Sequence, residues 1–259
     1  EKANMIKIIY KRIQFLYDIE INTDGNKKMP ENPDIQIKNL DFKYKGEKEN
    51  ILENININIP YGSFIGILGK TGSGKTTLAN ILAKFNAIPN EKIFFNNIDI
   101  NDIERKSFYK NFAYVMQDDY IYDNTIKHNI ELYKTYSENE INEATEKAEL
   151  LETIEKLDKK YNTLIGDNGV KLSGGQKQRL ILSRNLVTNP EIIIIDNGFT
   201  GLDIETRKRV VENLNNRNNK TTLVIITSMI EDIKNADKIY KLEDKTLVEM
   251  DEREEVYNA

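Results

Sequence analysis

The eight residues Gly69-Lys70-Thr71-Gly72-Ser73-Gly74-Lys75-Thr76 constrain this chain more than any other feature of its sequence. They fit the pattern G-x-x-x-x-G-K-[ST]. They stand between the apolar run Phe64-Ile65-Gly66-Ile67-Leu68 and a segment with Leu78, Ile81, Leu82 and Phe85 on one helical face. A buried strand, a glycine-rich turn and a helix start, in that order, make a phosphate cradle. The glycines let successive backbone N–H groups curl around an anion, and the helix dipole adds positive potential. In such a cradle Lys75 reaches the β/γ-phosphate oxygens and the Thr76 hydroxyl ligates Mg²⁺. A chance match in a chain of 259 residues is on the order of one in a hundred.

The rest of the chain is patterned to carry that cradle. Ile35/Ile37 and Ile55/Ile57/Ile59 alternate with polar residues, as half-exposed antiparallel strands do. Ile192–Ile195 and Leu223–Ile226 are continuous apolar runs of buried-strand length. Helical spacing appears in Ile141, Ala144, Ala148, Leu151 and Ile154, read as one helix behind a capping box at Ser137-x-x-Glu140. It appears again in Lys177–Leu186 and around Val210, Val211 and Leu214. Strand–helix alternation with fully apolar strands predicts an α/β fold with a mainly parallel, doubly covered sheet. Asp196 ends one of those strands. By itself it reads equally well as an ordinary strand-ending aspartate. Paired with the cradle, it is the expected Mg²⁺ partner.

Composition removes several alternatives. Zero cysteines exclude disulfides, thiolate metal sites and cysteine catalysis, and the single histidine, His128, excludes a site needing two imidazoles. With 37 basic and 42 acidic side chains the formal charge is −5, so nothing draws the whole molecule toward nucleic acid. No apolar run approaches the ~18 residues of a membrane span. Residues 1–20 carry Ile6, Ile9, Ile13 and Leu16 on one helical stripe, and the polar stretch Asn22 to Pro33 reads as a linker. A first residue of Glu1 in place of Met fits a piece of a longer chain.

Leu172-Ser173-Gly174-Gly175-Gln176, just before the helix Lys177–Leu186, decides the family. Together with the phosphate loop, it resembles the signature of the nucleotide-binding domain of ATP-binding cassette (ABC) transporters; five specified positions arise by chance in less than about one chain in a thousand. The resemblance covers residues 35–250. It implies a RecA-like P-loop core, an N-terminal antiparallel β subdomain and an inserted α-helical subdomain of roughly residues 118–178. The domain itself would span 34–259, with 1–33 leading from a transmembrane domain; the stripe in residues 1–20 fits either that tail or a helix packed on its own domain. ATP and Mg²⁺ are the implied ligands. Tyr44, in Asp41-Phe42-Lys43-Tyr44, matches the aromatic that stacks on adenine, and Gly69–Thr76 with Thr77 match the phosphate site. Thr76, Asp196 and Gln117, the last in Tyr114-Val115-Met116-Gln117, match the Mg²⁺ donors. Thr200-Gly201-Leu202-Asp203 matches the loop that crosses a dimer interface. In this family two domains close head to tail, and Ser173, Gly174, Gly175 and Gln176 of one meet the nucleotide held by the other. Thr163–Gly169, with Asp167 where glutamate is frequent, and Asp123–Ile130 look exporter-like. They imply contact with transmembrane coupling helices, at the cytoplasmic face of a membrane.

Two departures bear on mechanism. Asn197 stands where the family has the glutamate that polarises the attacking water, and Ser228 stands where it has a histidine at the γ-phosphate. An amide orients water but takes no proton at neutral pH, and losing a positioned base costs about 10²–10⁴ in rate. Both gaps fall in the site built on this chain's own phosphate loop, while the signature it would lend a partner is intact. The expectation is a degenerate, slowly hydrolysing half of a heterodimeric exporter, paired with a different, catalytically complete subunit. A substitute base (Asp118, Asp119 or Asp203) would instead give a fully active ATPase. A base removed by design would account for Asn197 but not for Ser228. A soluble ABC-type regulator is disfavoured by segment 163–169 and by the absence of a second cassette or long coiled coil.

Overall fold

The computed structural model describes residues 24–116, 119–166, 169–215 and 221–250. The stripe in residues 1–20, Gln117, Asp118, and Asp167 and Asn168 of the exporter-like segment lie outside the described residues.

Alternation in the N-terminal part produces an antiparallel sheet. Strands β1 (Ile35–Phe42) and β2 (Leu52–Ile59) pair Ile35 with Ile59 and Ile37 with Ile57 on the buried face. Strand β3 (Phe64–Leu68) then leaves for the second sheet, while β4 (Ile93–Phe95) and β5 (Ile98–Asp99) complete the first in the order β2-β1-β4-β5. The second sheet adds β6 (Phe112–Val115), β7 (Ile192–Asp196), β8 (Thr222–Thr227), β9 (Lys238–Glu243) and β10 (Thr246–Glu249). Its order is β10-β9-β3-β8-β7-β6, parallel throughout except for the β9–β10 hairpin.

The continuous apolar strands are buried because they serve two cores at once. Ile65, Ile67, Ile192, Ile194, Val224 and Ile226 face the antiparallel sheet and helix α1 (Lys75–Leu82). Phe64, Leu68, Ile193, Ile195, Leu223 and Ile225 face the opposite core, with the helices α6 (Gly174–Leu186) and α7 (Ile204–Leu214). Side chains alternate across a pleat, so a strand without polar positions needs cover on both faces. Helix α2 (Arg105–Asn111) precedes β6, and α3 (Ile126–Glu131), α4 (Glu138–Lys147) and α5 (Leu151–Glu155) lie between β6 and α6.

Three readings of the sequence need correction. The helix expected through Ile141, Ala144, Ala148, Leu151 and Ile154 is two helices, broken where Glu149 adopts φ 57° and Leu150 N–H donates to Thr145 O at 2.8 Å. The capping box at Ser137 and Glu140 is formed as expected. Phe85 is not on the buried face of α1, which ends at Leu82; its ring is 53% exposed and packs against Tyr109 and Tyr114. The stretch read as a linker is fastened to the domain from Asp24 onward: Asp24 accepts from Arg105 N–H at 2.8 Å, Lys27 bridges Ile103, and Met29 is buried.

Parallel pairing decides where the chemistry gathers. Leu68 is level with Thr227 and Asp196 with Ile226, so the C-terminal ends of β3, β7 and β8 form one edge. Ligands of open α/β sheets bind at this edge.

Candidate functional site

A cleft of about 520 Å³ lies at that edge, lined by Ile51, Thr71, Gly72, Gly74, Lys75, Thr76, Thr77, Asn197, Thr200 and Ser228. The loop Gly69–Thr76 makes one wall. Gly72 at φ 83° and Gly74 at φ 100° occupy left-handed conformations that a side chain would strain. At Gly74 an added Cβ would also meet Leu52 Cδ2 at 2.9 Å. Gly74 is the N-cap of α1; it supplies no side-chain cap, and the first turn holds no acidic residue, so the helix start keeps its N–H donors available.

Lys75 is 5% exposed, and its ammonium donates to Gly69 O at 2.7 Å and Lys70 O at 2.8 Å. Burial pushes this ammonium below its ordinary range, and the charge of Asp196 opposes the shift. Asp196 is 3% exposed. Burial holds its carboxyl above the usual carboxylate range, against a hydrogen bond from Thr76, the charge of Lys75 and the hydroxyl of Tyr114. Tyr114 donates to Asn80 Oδ1 at 3.1 Å, and burial beside Asp196 raises its phenol.

The donor set fits a triphosphate with Mg²⁺. An uncapped helix start, two left-handed glycines and a desolvated lysine bonded to carbonyls of its own loop are complementary to phosphate oxygens. Ser73 Oγ is buried without a hydrogen-bond partner among the described residues, as expected of a hydroxyl that awaits a ligand. No group of three or more His, Cys, Asp or Glu side chains able to hold a metal occurs among the described residues. A cation at Thr76 and Asp196 would take further oxygens from phosphate and water, as Mg²⁺ does.

The opposite wall carries the two departures. Asn197 has φ 48°, a left-handed conformation that asparagine tolerates better than most residues. Its Nδ2 donates to Asp196 Oδ1 at 3.2 Å and its N–H to Ile226 O at 2.8 Å. Ser228 is exposed at the end of β8. Tyr44, 38% exposed, stands edge-on against Phe42 with its hydroxyl 3.2 Å from Thr77 Oγ1, above the first turn of α1.

The Ser173–Gln176 group does not line this cleft. It starts α6, where Ser173 Oγ accepts from Gln176 N–H at 3.2 Å and Gln176 Oε1 accepts from Ser173 N–H at 2.9 Å. Gly175 sits against the Thr200–Asp203 turn so closely that an added Cβ would meet Gly201 O at 2.7 Å.

Two of the three substitute bases have partners elsewhere, and the third, Asp118, lies outside the described residues. Asp203 caps α7 by accepting from Thr206 N–H at 2.9 Å, and hydrogen bonds from Thr206 hold its carboxyl below the usual range. Asp119 accepts from Tyr120 N–H at 2.7 Å and pairs with buried Arg184 at 3.5 Å.

The family model described as ABC transporter matches residues 52–200, more than half of the chain. The chain belongs to the ABC transporter family. It is 39% identical over 216 residues to the multidrug resistance-like ATP-binding protein MdlB of Buchnera aphidicola, covering 83% of this chain and 37% of that protein. It is 34% identical over 228 residues to the ATP-dependent lipid A-core flippase of Haemophilus influenzae, covering 86% and 39%. A solved structure of a bacterial Atm1-family ABC exporter with ATP bound superposes with a TM-score of 0.81 at 28% identity, over 93% of this chain and 43% of that one. The chain thus spans about two fifths of these exporter-type relatives, and it matches the ABC ATPase fold. Among its described residues no helix is long and apolar enough to cross a membrane.

Ile51 in the cleft and Tyr114 beneath it have no role in the sequence expectations, and Thr200, expected only in the Thr200–Asp203 interface loop, also lines this cleft. Tyr114 had a signal: two residues before Met116 in a strand that borders β7, where it lies level with Ile194. Ile51 is brought to the cleft by tertiary packing and carries no local mark; Thr200 reaches it through the short turn that follows Asn197, whose carbonyl accepts from Thr200 N–H at 3.4 Å.

Proposed function

We propose that this chain is the ATP-binding domain of a membrane exporter and that its own phosphate-loop site is the degenerate member of an unequal pair. ATP binds with its phosphates in the Gly69–Thr76 loop and its adenine against Tyr44. Mg²⁺, held by Thr76 and Asp196 with Gln117 as a further donor, would neutralise charge on the β- and γ-oxygens. Lys75 moves its ammonium from the Gly69 and Lys70 carbonyls to the phosphates. Ser173, Gly174, Gly175 and Gln176 serve the nucleotide of a second, different and catalytically complete domain, and Asp203 lies in the loop that crosses between the two. Closure of the pair at the cytoplasmic face moves transmembrane coupling helices. No nucleic acid is involved.

The observation that carries this reading is Asn197. It occupies the wall of the cleft beside Asp196, and its amide donates to the Asp196 carboxylate, so the side chain next to the reacting centre is a donor with no basic lone pair. Ser228 opposite has no imidazole to compensate, and Asp119 and Asp203 are tied to Arg184 and Thr206. Relatives described as a lipid A-core flippase and a multidrug resistance-like protein support an export role.

The test is turnover by the pure protein. Wild type is expected to bind MgATP and release phosphate slowly, and Asn197→Glu with Ser228→His to accelerate release by about 10²-fold. Glutamate at a left-handed position costs about 1–2 kcal/mol, so Asn197→Asp, which suits that backbone, is the companion variant. Fast release by wild type that neither variant increases would reject the degenerate site.

A further inference from the structure

The two turns that carry Thr200 and Ser228 are joined by one side chain. Arg207, on the first turns of α7, points its guanidinium into the space between them and is 12% exposed. Its Nη2 donates to Phe199 O at 3.2 Å and Leu202 O at 3.3 Å, which fastens the turn that follows Asn197. Its Nη1 donates to Asp232 Oδ1 at 3.1 Å and lies 3.0 Å from Met229 Sδ. The other oxygen of Asp232, a side chain only 4% exposed, accepts from Thr227 Oγ1 at 2.7 Å, and Thr227 Oγ1 accepts from Met229 N–H at 3.0 Å. Ser228 thus sits between two residues that are each pinned through Asp232.

We propose that Arg207 is a positioning residue: with Asp232 it locks the Phe199–Leu202 turn to the Thr227–Met229 turn, so that Thr200 and Ser228 face the terminal phosphate of the nucleotide as one rigid wall. The inference rests on the phosphate-loop reading above, which places a triphosphate between them. The geometry favours a specific lock over general packing. A planar fork with fixed donors meets two backbone carbonyls on one arm and a carboxylate on the other, which a lysine cannot reproduce. Both partners are desolvated, so the pair holds one arrangement and yields poorly to intermediate ones. Thr227 and Asp232 convert the pair into a backbone restraint, because the last acceptor in the chain takes the N–H of Met229 itself.

Discrimination between tri- and diphosphate reads this out, since only the triphosphate reaches the wall. Binding of Mg²⁺ complexes of a non-hydrolysable ATP analogue and of ADP to the full protein would be measured alongside the melting temperature. Arg207→Met alone strands a buried carboxylate and is expected to melt early. The double variant Arg207→Met/Asp232→Leu removes both charges and keeps a packed, foldable pair of turns. It should melt near wild type yet lose about fivefold to tenfold in the ratio of triphosphate to diphosphate affinity. Arg207→Lys keeps the charge on Asp232, lacks the fork, and should lose a similar part of that ratio. A wild-type ratio in either the double variant or Arg207→Lys would overturn the proposal, leaving Arg207 as packing alone. Failure of wild type to bind either nucleotide would instead reject the phosphate-loop reading, and fast hydrolysis by wild type would reject only its degeneracy.

Discussion

Helices α1 and α6 both begin in glycine-rich turns, and their N-termini are finished in opposite ways. At α1, Gly74 gives no cap, Lys75 rests on the loop's own carbonyls, and Ser73 Oγ is buried without a partner among the described residues. At α6, Ser173 and Gln176 satisfy each other in a closed capping box while standing at the surface. The first terminus is strained, desolvated and incomplete without an anion. The second is complete alone and must open its box, or present its hydroxyl over the top of it, to serve a nucleotide. On the proposed function, the two helix starts differ in the source of their ligand: the α1 site is organised by this chain, and the start of α6 would receive a phosphate positioned by a second domain.

The sharpest way to break this contrast is Lys75→Met. Charge-assisted hydrogen bonds to a phosphate contribute about 1.5–3 kcal/mol, so MgATP affinity should fall by about a hundredfold in titrations with a fluorescent nucleotide. The ligand-free protein should not lose stability in proportion, because the ammonium of Lys75 is disfavoured by burial. A large drop in melting temperature with retained binding would mean that Lys75 is a structural residue.

Asp196→Asn tests the same side through pH. The folded state holds the Asp196 proton more tightly than the unfolded chain, so ionised Asp196 lowers stability as pH rises through and above the ordinary carboxylate range. Without Mg²⁺, the asparagine variant should be as stable as wild type in acid and more stable near neutral pH, while Mg²⁺-dependent nucleotide binding is lost. Parallel stability curves at every pH would show that the carboxylate is not penalised.

What the sequence disclosed follows the same division. The phosphate loop was legible because backbone geometry demands its glycines and chemistry demands Lys75 and Thr76. The apolar runs of β7 and β8 announced burial on both faces. Their odd and even residues went to different cores, a partition no local pattern states. The break between α4 and α5 was missed because Ala148, Leu151 and Ile154 continue the helical spacing across Glu149, whose left-handed backbone has no glycine to mark it. The box at Ser173 was missed although Ser173-x-x-Gln176 carries the same signal that gave Ser137-x-x-Glu140. The Arg207–Asp232 lock spans 25 positions in sequence and is visible only in three dimensions.

On the α6 side the effects should be smaller in the isolated protein. Ser173→Ala removes a capping box and should lower stability by about 1 kcal/mol, with no more than a twofold change in this chain's own MgATP affinity, because Ser173 does not line its cleft. A collapse of that affinity would place the signature in the wrong site.

Gly174→Ala is the smallest and most discriminating change. An added Cβ there meets nothing within 4 Å, unlike Gly175, where it would meet Gly201 O at 2.7 Å. Alanine is the better helix former, so at the first position of α6 it should leave the melting temperature unchanged or raise stability by about 0.5 kcal/mol. Among the described residues, nothing around position 174 excludes a side chain. If the two-domain assembly nevertheless loses ATP turnover in Gly174→Ala, the space above that residue belongs to a nucleotide held by another subunit. If turnover is untouched in the assembly as well, the exposed start of α6 is merely a helix end, and the distinction between the two termini disappears.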